Sequence, residues 1–256
     1  MEILLYIVAG AGVGFLVGLT GVGGGSLMTP LLILFGFPAH TAIGTDLLYA
    51  AITKSGGVVT HARSGTVNWK LAATLGAGSI PASIITTQIL AHYFPHPEAY
   101  KHLLTTSLGL MLIVTAAVLL FKDRLLRTSS GATVMSDERR AGVTVFMGVI
   151  LGVFVTLSSV GAGAIGTALL MLLYPALSSS RVVGTDLAHA VPLTFIAGLG
   201  HMQLGNIDYY LLGSLLIGSL PAIHFGTALA KRMPSEVLRP ALASMLLIIG
   251  VKYAFF

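Results

Sequence analysis

The groups in this chain that could do chemistry are few, and most stand inside apolar runs, where a charge costs several kcal/mol unless it is paired, protonated or structurally required. Asp46 and Asp186 occur in identical tetrads, GTDL at Gly44–Leu47 and again at Gly184–Leu187. A carboxylate so placed can carry a proton or brace a polar loop, whereas direct contact with an anion would be repulsive. Thr45 and Thr185, beside the aspartates, have hydroxyls suited to donate to an anion. Lys54 follows Asp46 by two turns of one helix, about 12 Å along the axis and roughly 80° around it, too far for a direct pair. It therefore binds an anionic ligand, pairs across the chain with Asp186, or snorkels to a helix end. His189 lies one turn beyond Asp186, within hydrogen-bonding reach and able to relay protons. His61 and His201 stand at helix ends and read as gates or interfacial anchors, and His224 reads as a satisfied core histidine.

Two glycine runs supply the other half of the chemistry. Gly21–Ser26 reads GVGGGS and Gly161–Gly166 reads GAGAIG, and each interrupts an apolar segment. Bare backbone survives at membrane depth only where protein or a wet cavity surrounds it. Glycines permit positive φ and close approach of a ligand, and the N–H groups that open the following helix are unpaired donors at the positive end of its dipole. Gly23, Gly24, Gly25 and Ser26 in the first run, with Gly161 and Gly163 in the second, are the candidate anion contacts. The competing reading is close helix packing through small residues.

The elements that must position these groups are membrane helices. Of 256 residues, 55% are hydrophobic and 9% charged, and the mean hydropathy is +0.92; so few charges cannot cover a soluble globule. The net charge of +5 is confined to loops and speaks to topology, with no basic face or motif for nucleic acid. The absence of cysteine excludes disulfides, thiolate metal sites and cysteine nucleophiles. No HExxH, GxSxG or metal-spaced carboxylate cluster points to an enzyme, a metal or another cofactor. The opening MEILLYIVAG carries Glu2 where a signal peptide would be basic, so it is expected to remain as a membrane segment.

The chain is duplicated. Sliding it by 140 residues superposes the two GTDL tetrads, His61 on His201, Gly65 on Gly205, Pro81 on Pro221 and Gly21 on Gly161, with 19 identities in the 76 positions from Gly12 to Thr87. The expected architecture is all-α: a first repeat over 1–121, a polar cytoplasmic linker over 122–140 and a second repeat over 141–256. Each repeat has five helical elements, the second too short to span the bilayer and expected to form a broken or re-entrant hairpin with the first. Pro81, Pro192 and Pro221 fall inside helical stretches and kink them. The linker's Lys122, Arg124, Arg127, Arg139 and Arg140 place it inside. Arg63 and Lys70 flank a first-half loop whose second-half counterpart, 203–210, has no Lys or Arg, so the repeats are expected to be inverted and the glycine breaks to meet near the midplane.

The GVGGGSLMTPLL run, the GTDL some twenty residues later, the HARSGTVNW loop and the half-length repetition together resemble the sulfite exporter TauE/SafE family, the TSUP permeases. That resemblance covers the whole chain. It implies a multi-pass protein of the bacterial inner (plasma) membrane that acts as a secondary transporter of sulfur-containing anions, such as sulfite, sulfoacetate or related sulfonates, usually as an exporter. Residue chemistry by itself reaches an anion transporter, with protons as a possible second passenger. A channel or a carrier of other organic acids is the alternative, and a membrane-embedded enzyme a weaker one. The second half departs from the family pattern, GAGAIG replacing the fuller glycine run and HAVPLT following GTDL, so the two cradles are unlike.

Overall fold

A computed structural model describes residues 2–20, 25–94, 96–129, 136–230 and 235–255, and among them every regular element is an α-helix. The first half contributes α1 (Glu2–Thr20), α2 (Gly25–Leu34), α3 (Ala39–Arg63), α4 (Trp69–Tyr93) and α5 (Pro97–Ser129). The second contributes α6 (Asp137–Ser158), α7 (Ala164–Leu173), α8 (Ser179–Gln203), α9 (Tyr209–Ala230) and α10 (Ser235–Phe255). Among the described residues four stretches, Pro97–Phe121, Asp137–Ser158, Ser179–Gln203 and Tyr209–Leu229, are long and apolar enough to cross a membrane, and a helix satisfies its own backbone there. Pro81, Pro192 and Pro221 do fall within helices, as do Pro30 and Pro240.

The short elements form re-entrant hairpins. At ten residues each, α2 and α7 rise about 15 Å, half the hydrocarbon thickness. Beyond α7, the Tyr174 hydroxyl lies 2.8 Å from Thr144 Oγ1 near the start of α6, and the Arg140 guanidinium stands 5.6 Å over the Tyr174 ring. The chain has returned to the face it entered from. The first half repeats the device with an edge contact between Tyr6 and Phe37, their centroids 5.4 Å apart.

The polar connection is shorter than its composition suggests. Helix α5 continues to Ser129, since nothing between Lys122 and Ser129 breaks a helix, and α6 opens at Asp137 with acidic Asp137 and Glu138 complementing its dipole. Residues 21–24, which include the candidate contacts Gly23 and Gly24, and residues 231–234 lie outside the described residues.

The repeats are interlocked. Helix α1 packs along α9 of the other half, and α6 along α4. Gly10 and Gly14 face the backbone of Leu215 and Ser219, while Gly148 and Gly152 face Leu75 and Ser79. In each case an added Cβ would collide with main-chain atoms, which is what small residues at a membrane helix contact permit. These pairs relate α1 to α6 by an offset of 138 (Gly10 to Gly148, Gly14 to Gly152), whereas Leu75 to Leu215 keeps 140. The two-residue difference falls between the first element and the third, where a broken backbone can absorb it without disturbing a helix.

Corresponding helices run antiparallel. Gly44, at the start of α3, faces Asn206 beyond the end of α8, and Gly184, at the start of α8, faces His61 and Thr66 at the end of α3. The two halves are therefore inverted. Arg63, Lys70, Arg139, Arg140 and Arg181 gather at one end of the bundle, with Lys70 and Arg140 lining one cavity of about 240 Å³. The α8–α9 turn lies at the other end.

Candidate functional site

The antiparallel crossing of α3 and α8 brings the two GTDL aspartates and Lys54 into the interior. Asp46 has no exposure and Asp186 1%. Thr29, on the short helix α2, donates to Asp46 Oδ2 at 2.6 Å. Asp186 instead presses Oδ1 against Gly166 on α7, where any Cβ would overlap the carboxylate. The α7 hydroxyl, Thr167, bonds back to Ala164 O at 3.0 Å and is not directed at Asp186. Each aspartate thus abuts the short helix of its own repeat, but only Asp46 gains a hydroxyl donor.

Lys54 binds the second glycine break. Its Nζ donates to Ala162 O at 2.9 Å, and the side chain interacts electrostatically with Asp186 first and Asp46 second. Among the described residues it makes no ion pair with either. The break itself is held open by backbone that favours glycine: Gly161 at φ 123° and Gly163 at φ 135°. Gly163 caps α7 without a side-chain hydrogen bond and the Gly166 N–H turns back to Gly161 O at 3.2 Å, while the Ala164 and Ile165 N–H groups open the helix next to the carbonyl that Lys54 holds. At the entry to the break Ser159 takes the left-handed conformation, φ 59°, which is strained for a serine. In the first break, Gly25 opens α2 and Ser26 is buried.

One turn beyond each aspartate stands a polar ring that reaches the other repeat. His189 Nε2 lies 2.8 Å from Ser79 Oγ on α4, leaving Nδ1 buried without a partner among the described residues. The expected His189–Asp186 hydrogen bond is absent among the described residues, because the ring is taken up by α4. At the positions displaced by 140, Tyr49 faces Ser219 on α9. The repeats therefore carry a histidine–serine and a tyrosine–serine pair in the same place.

Thr45 and Thr185 are turned toward the opposite repeat. Thr45 Oγ1 accepts from the Asp208 N–H at 3.1 Å and Thr185 Oγ1 from the Asn68 N–H at 2.9 Å. Asn68 and Asp208 in turn cap α4 and α9, accepting from Leu71 N and Leu211 N. The threonines thus lock each GTDL helix start to the other repeat's turn.

The two histidines at helix ends differ. His201 is fully buried, donates from Nε2 to Thr156 O at 2.9 Å and accepts at Nδ1 from the Asn206 amide at 3.1 Å, while Asn206 pairs with the Tyr100 hydroxyl. It is an internal anchor. His61 is partly exposed, with Nδ1 2.8 Å from Thr66 Oγ1, and His224 is exposed rather than in the core, 3.0 Å from Leu220 O.

Two cavities among the described residues reach toward the site. A cavity of about 610 Å³ runs from His61 and Thr60 up to Thr53 beside Lys54, lined also by Gly56, Gly57 and α9. A second, about 510 Å³, extends from Trp69 to Pro81 and reaches His189. Both lie in the half of the bundle that carries the basic residues. Toward the other end α8 packs tightly, Gly198 against Leu48 and Gly200 against Thr87, and the His201–Asn206–Tyr100 chain closes the bundle.

The structure brings the aspartates, Lys54, Gly161 and Gly163, all singled out by sequence, together with Thr29, Ser159 and the two ring–serine pairs, which sequence reading does not single out. The signal for the last was present, since Ser79 and Ser219 superpose and Tyr49 and His189 stand at the same offset.

The family profile described as "Sulfite exporter TauE/SafE" matches residues 6–253. The chain is 41% identical over 251 residues to the probable membrane transporter protein YjnA of Bacillus subtilis, covering 96% of this chain and 97% of that one. It is 29% identical over 244 residues to the probable membrane transporter protein YdhB of the same organism, covering 92% and 96%. A probable membrane transporter protein of Methanocaldococcus jannaschii is 27% identical over 266 residues, covering 96% and 93%. No solved structure matches the chain.

Proposed function

The chain belongs to the sulfite exporter TauE/SafE family of membrane transporters, and within that class we propose that it is a secondary carrier of small sulfur-containing anions, sulfite, sulfoacetate or related sulfonates, moved outward together with a proton. The observation that carries this reading is Lys54, 8% exposed, held on the carbonyl of a broken helix between two buried carboxylates. A buried cation beside a helix N-terminus without a side-chain cap is a place for an anion. Direct contacts come from Lys54 and the backbone at Gly161 and Gly163, and the first glycine run, Gly23 to Ser26, is a further candidate from its sequence. Thr45 and Thr185 act by holding the cradle's helices.

Charge balance supplies the coupling. With both carboxylates ionised and Lys54 charged, the centre is net negative and repels an anion. One proton on Asp186 frees Lys54 to receive it, so proton and anion bind together. A monovalent anion leaving with one proton moves no net charge, and its own gradient decides the direction. The cavities on the basic face support loading from the cytoplasm, the side that positive loops mark.

The test is a panel of sulfite, thiosulfate, sulfoacetate and taurine in proteoliposomes at several internal and external pH values. Saturable flux of the sulfur anions, accelerated by a matched proton gradient, is expected. Equal flux of all anions without saturation would make the protein a channel, and flux of carboxylic acids alone would replace the substrate class.

A further inference from the structure

Seven buried side-chain atoms lack a hydrogen-bond partner among the described residues, and four of them belong to two facing pairs, Asp46 with Ser159 and, one turn further along α3, Tyr49 with Ser219. Ser159 faces Asp46, and Tyr49 faces Ser219 while sensing the Asp46 charge, yet neither pair closes a hydrogen bond of good geometry. Polar groups left unpaired in the interior are destabilising, so a native ligand for them is expected.

We propose that Asp46 Oδ1 and Ser159 Oγ, with the Tyr49 and Ser219 hydroxyls behind them, form a binding site for a monovalent hard cation, sodium. Every donor is an oxygen and one is a carboxylate, the ligand set of a hard ion. The site abuts the C-terminus of α6, which ends at Ser158, so the negative end of a helix dipole adds to the carboxylate. Ser159 is carried into it by its left-handed backbone, φ 59°, a strained conformation that a ligand would justify. A single carboxylate is too little charge for calcium, which collects several. The symmetry-related place is built otherwise: His189 replaces Tyr49, and Lys54, held on Ala162 O, interacts more strongly with Asp186 than with Asp46. One half therefore offers oxygen to a cation, the other nitrogen to an anion. Inverted carriers place ion sites at the unwound ends of broken helices in this way.

Thermal unfolding of the detergent-purified full chain, with sodium chloride replacing choline chloride at constant ionic strength, tests the site without any transported substrate. A saturable rise in Tm with sodium, not reproduced by potassium, is expected, since a ligand of the native state alone stabilises it. Asp46→Asn should abolish the rise. Ser159→Gly, which suits the positive φ, should shift the sodium midpoint upward by roughly tenfold or more. Should Asp46→Asn fail to fold, Ser159→Gly decides alone. Equal effects of sodium, potassium and choline, or an unchanged sodium midpoint in Ser159→Gly, would overturn the proposal. A failed sulfur-anion panel would leave this result untouched, so the two readings can fail separately.

Discussion

At the scale of residues, the two aspartates look alike in sequence and differ in surroundings. Asp46 is held by Thr29 at 2.6 Å, whereas Asp186 has Gly166 against it and Lys54 as its main charged neighbour. Asn keeps the shape of either side chain and cannot carry a proton. Asp186→Asn is therefore expected to lose pH-driven sulfite uptake while retaining counterflow, and Asp46→Asn to lose binding or folding; equal loss of both modes in Asp186→Asn would reduce Asp186 to a structural brace. Gly166→Ala tests the same contact sterically. Its Cβ meets Asp186 Oδ1, and overpacking of that kind costs about 1–3 kcal/mol, so reduced stability and lost transport are expected, and parent-like activity would show that the carboxylate is free to move aside. Sequence makes Asp46, Asp186 and Lys54 legible because charge inside an apolar run is rare. Their partners are illegible for a physical reason: Ala162 O is backbone, and Ser79 and Thr29 are small residues of a kind that often face nothing but helix.

At the scale of elements, the ten helices, the short second member of each repeat and the duplication can be read from periodicity and offset. The exchange of α1 and α6 between halves cannot, because a glycine stripe specifies close approach without naming the partner helix. The 138-residue offset is hidden for a related reason, since glycines recur often enough in α1 and α6 to superpose at more than one register. The ends of α3 and α8 make a prediction. His201 is wholly buried with two hydrogen bonds to Thr156 and Asn206, while His61 is partly exposed and bonds within its own turn. His201→Ala leaves a buried carbonyl unpaired and should cost about 1–3 kcal/mol, whereas His61→Ala should cost under about 1 kcal/mol. Melting curves of the two variants in detergent check this, and an equal drop in Tm would mean that both ends of the bundle are sealed alike.

At the scale of the molecule, inversion makes the two turns after α3 and α8 face opposite sides. Ser64→Cys and Gln203→Cys, both at exposed positions in a chain without native cysteine, should label with a membrane-impermeant maleimide from opposite sides of the membrane. Labelling of both from one side would contradict the inverted arrangement. The proposed outward transport would load from the basic end, where the cavities of the described residues lie. The central claim is that this bundle carries sulfur anions through the α3–α8 crossing by way of Lys54. The most direct measurement is counterflow of radiolabelled sulfite into proteoliposomes preloaded with unlabelled sulfite, for the parent and for Lys54→Met. The account predicts transient, saturable accumulation of label in the parent and its loss in Lys54→Met; no accumulation in the parent, or unchanged half-saturation and rate in Lys54→Met, would contradict it.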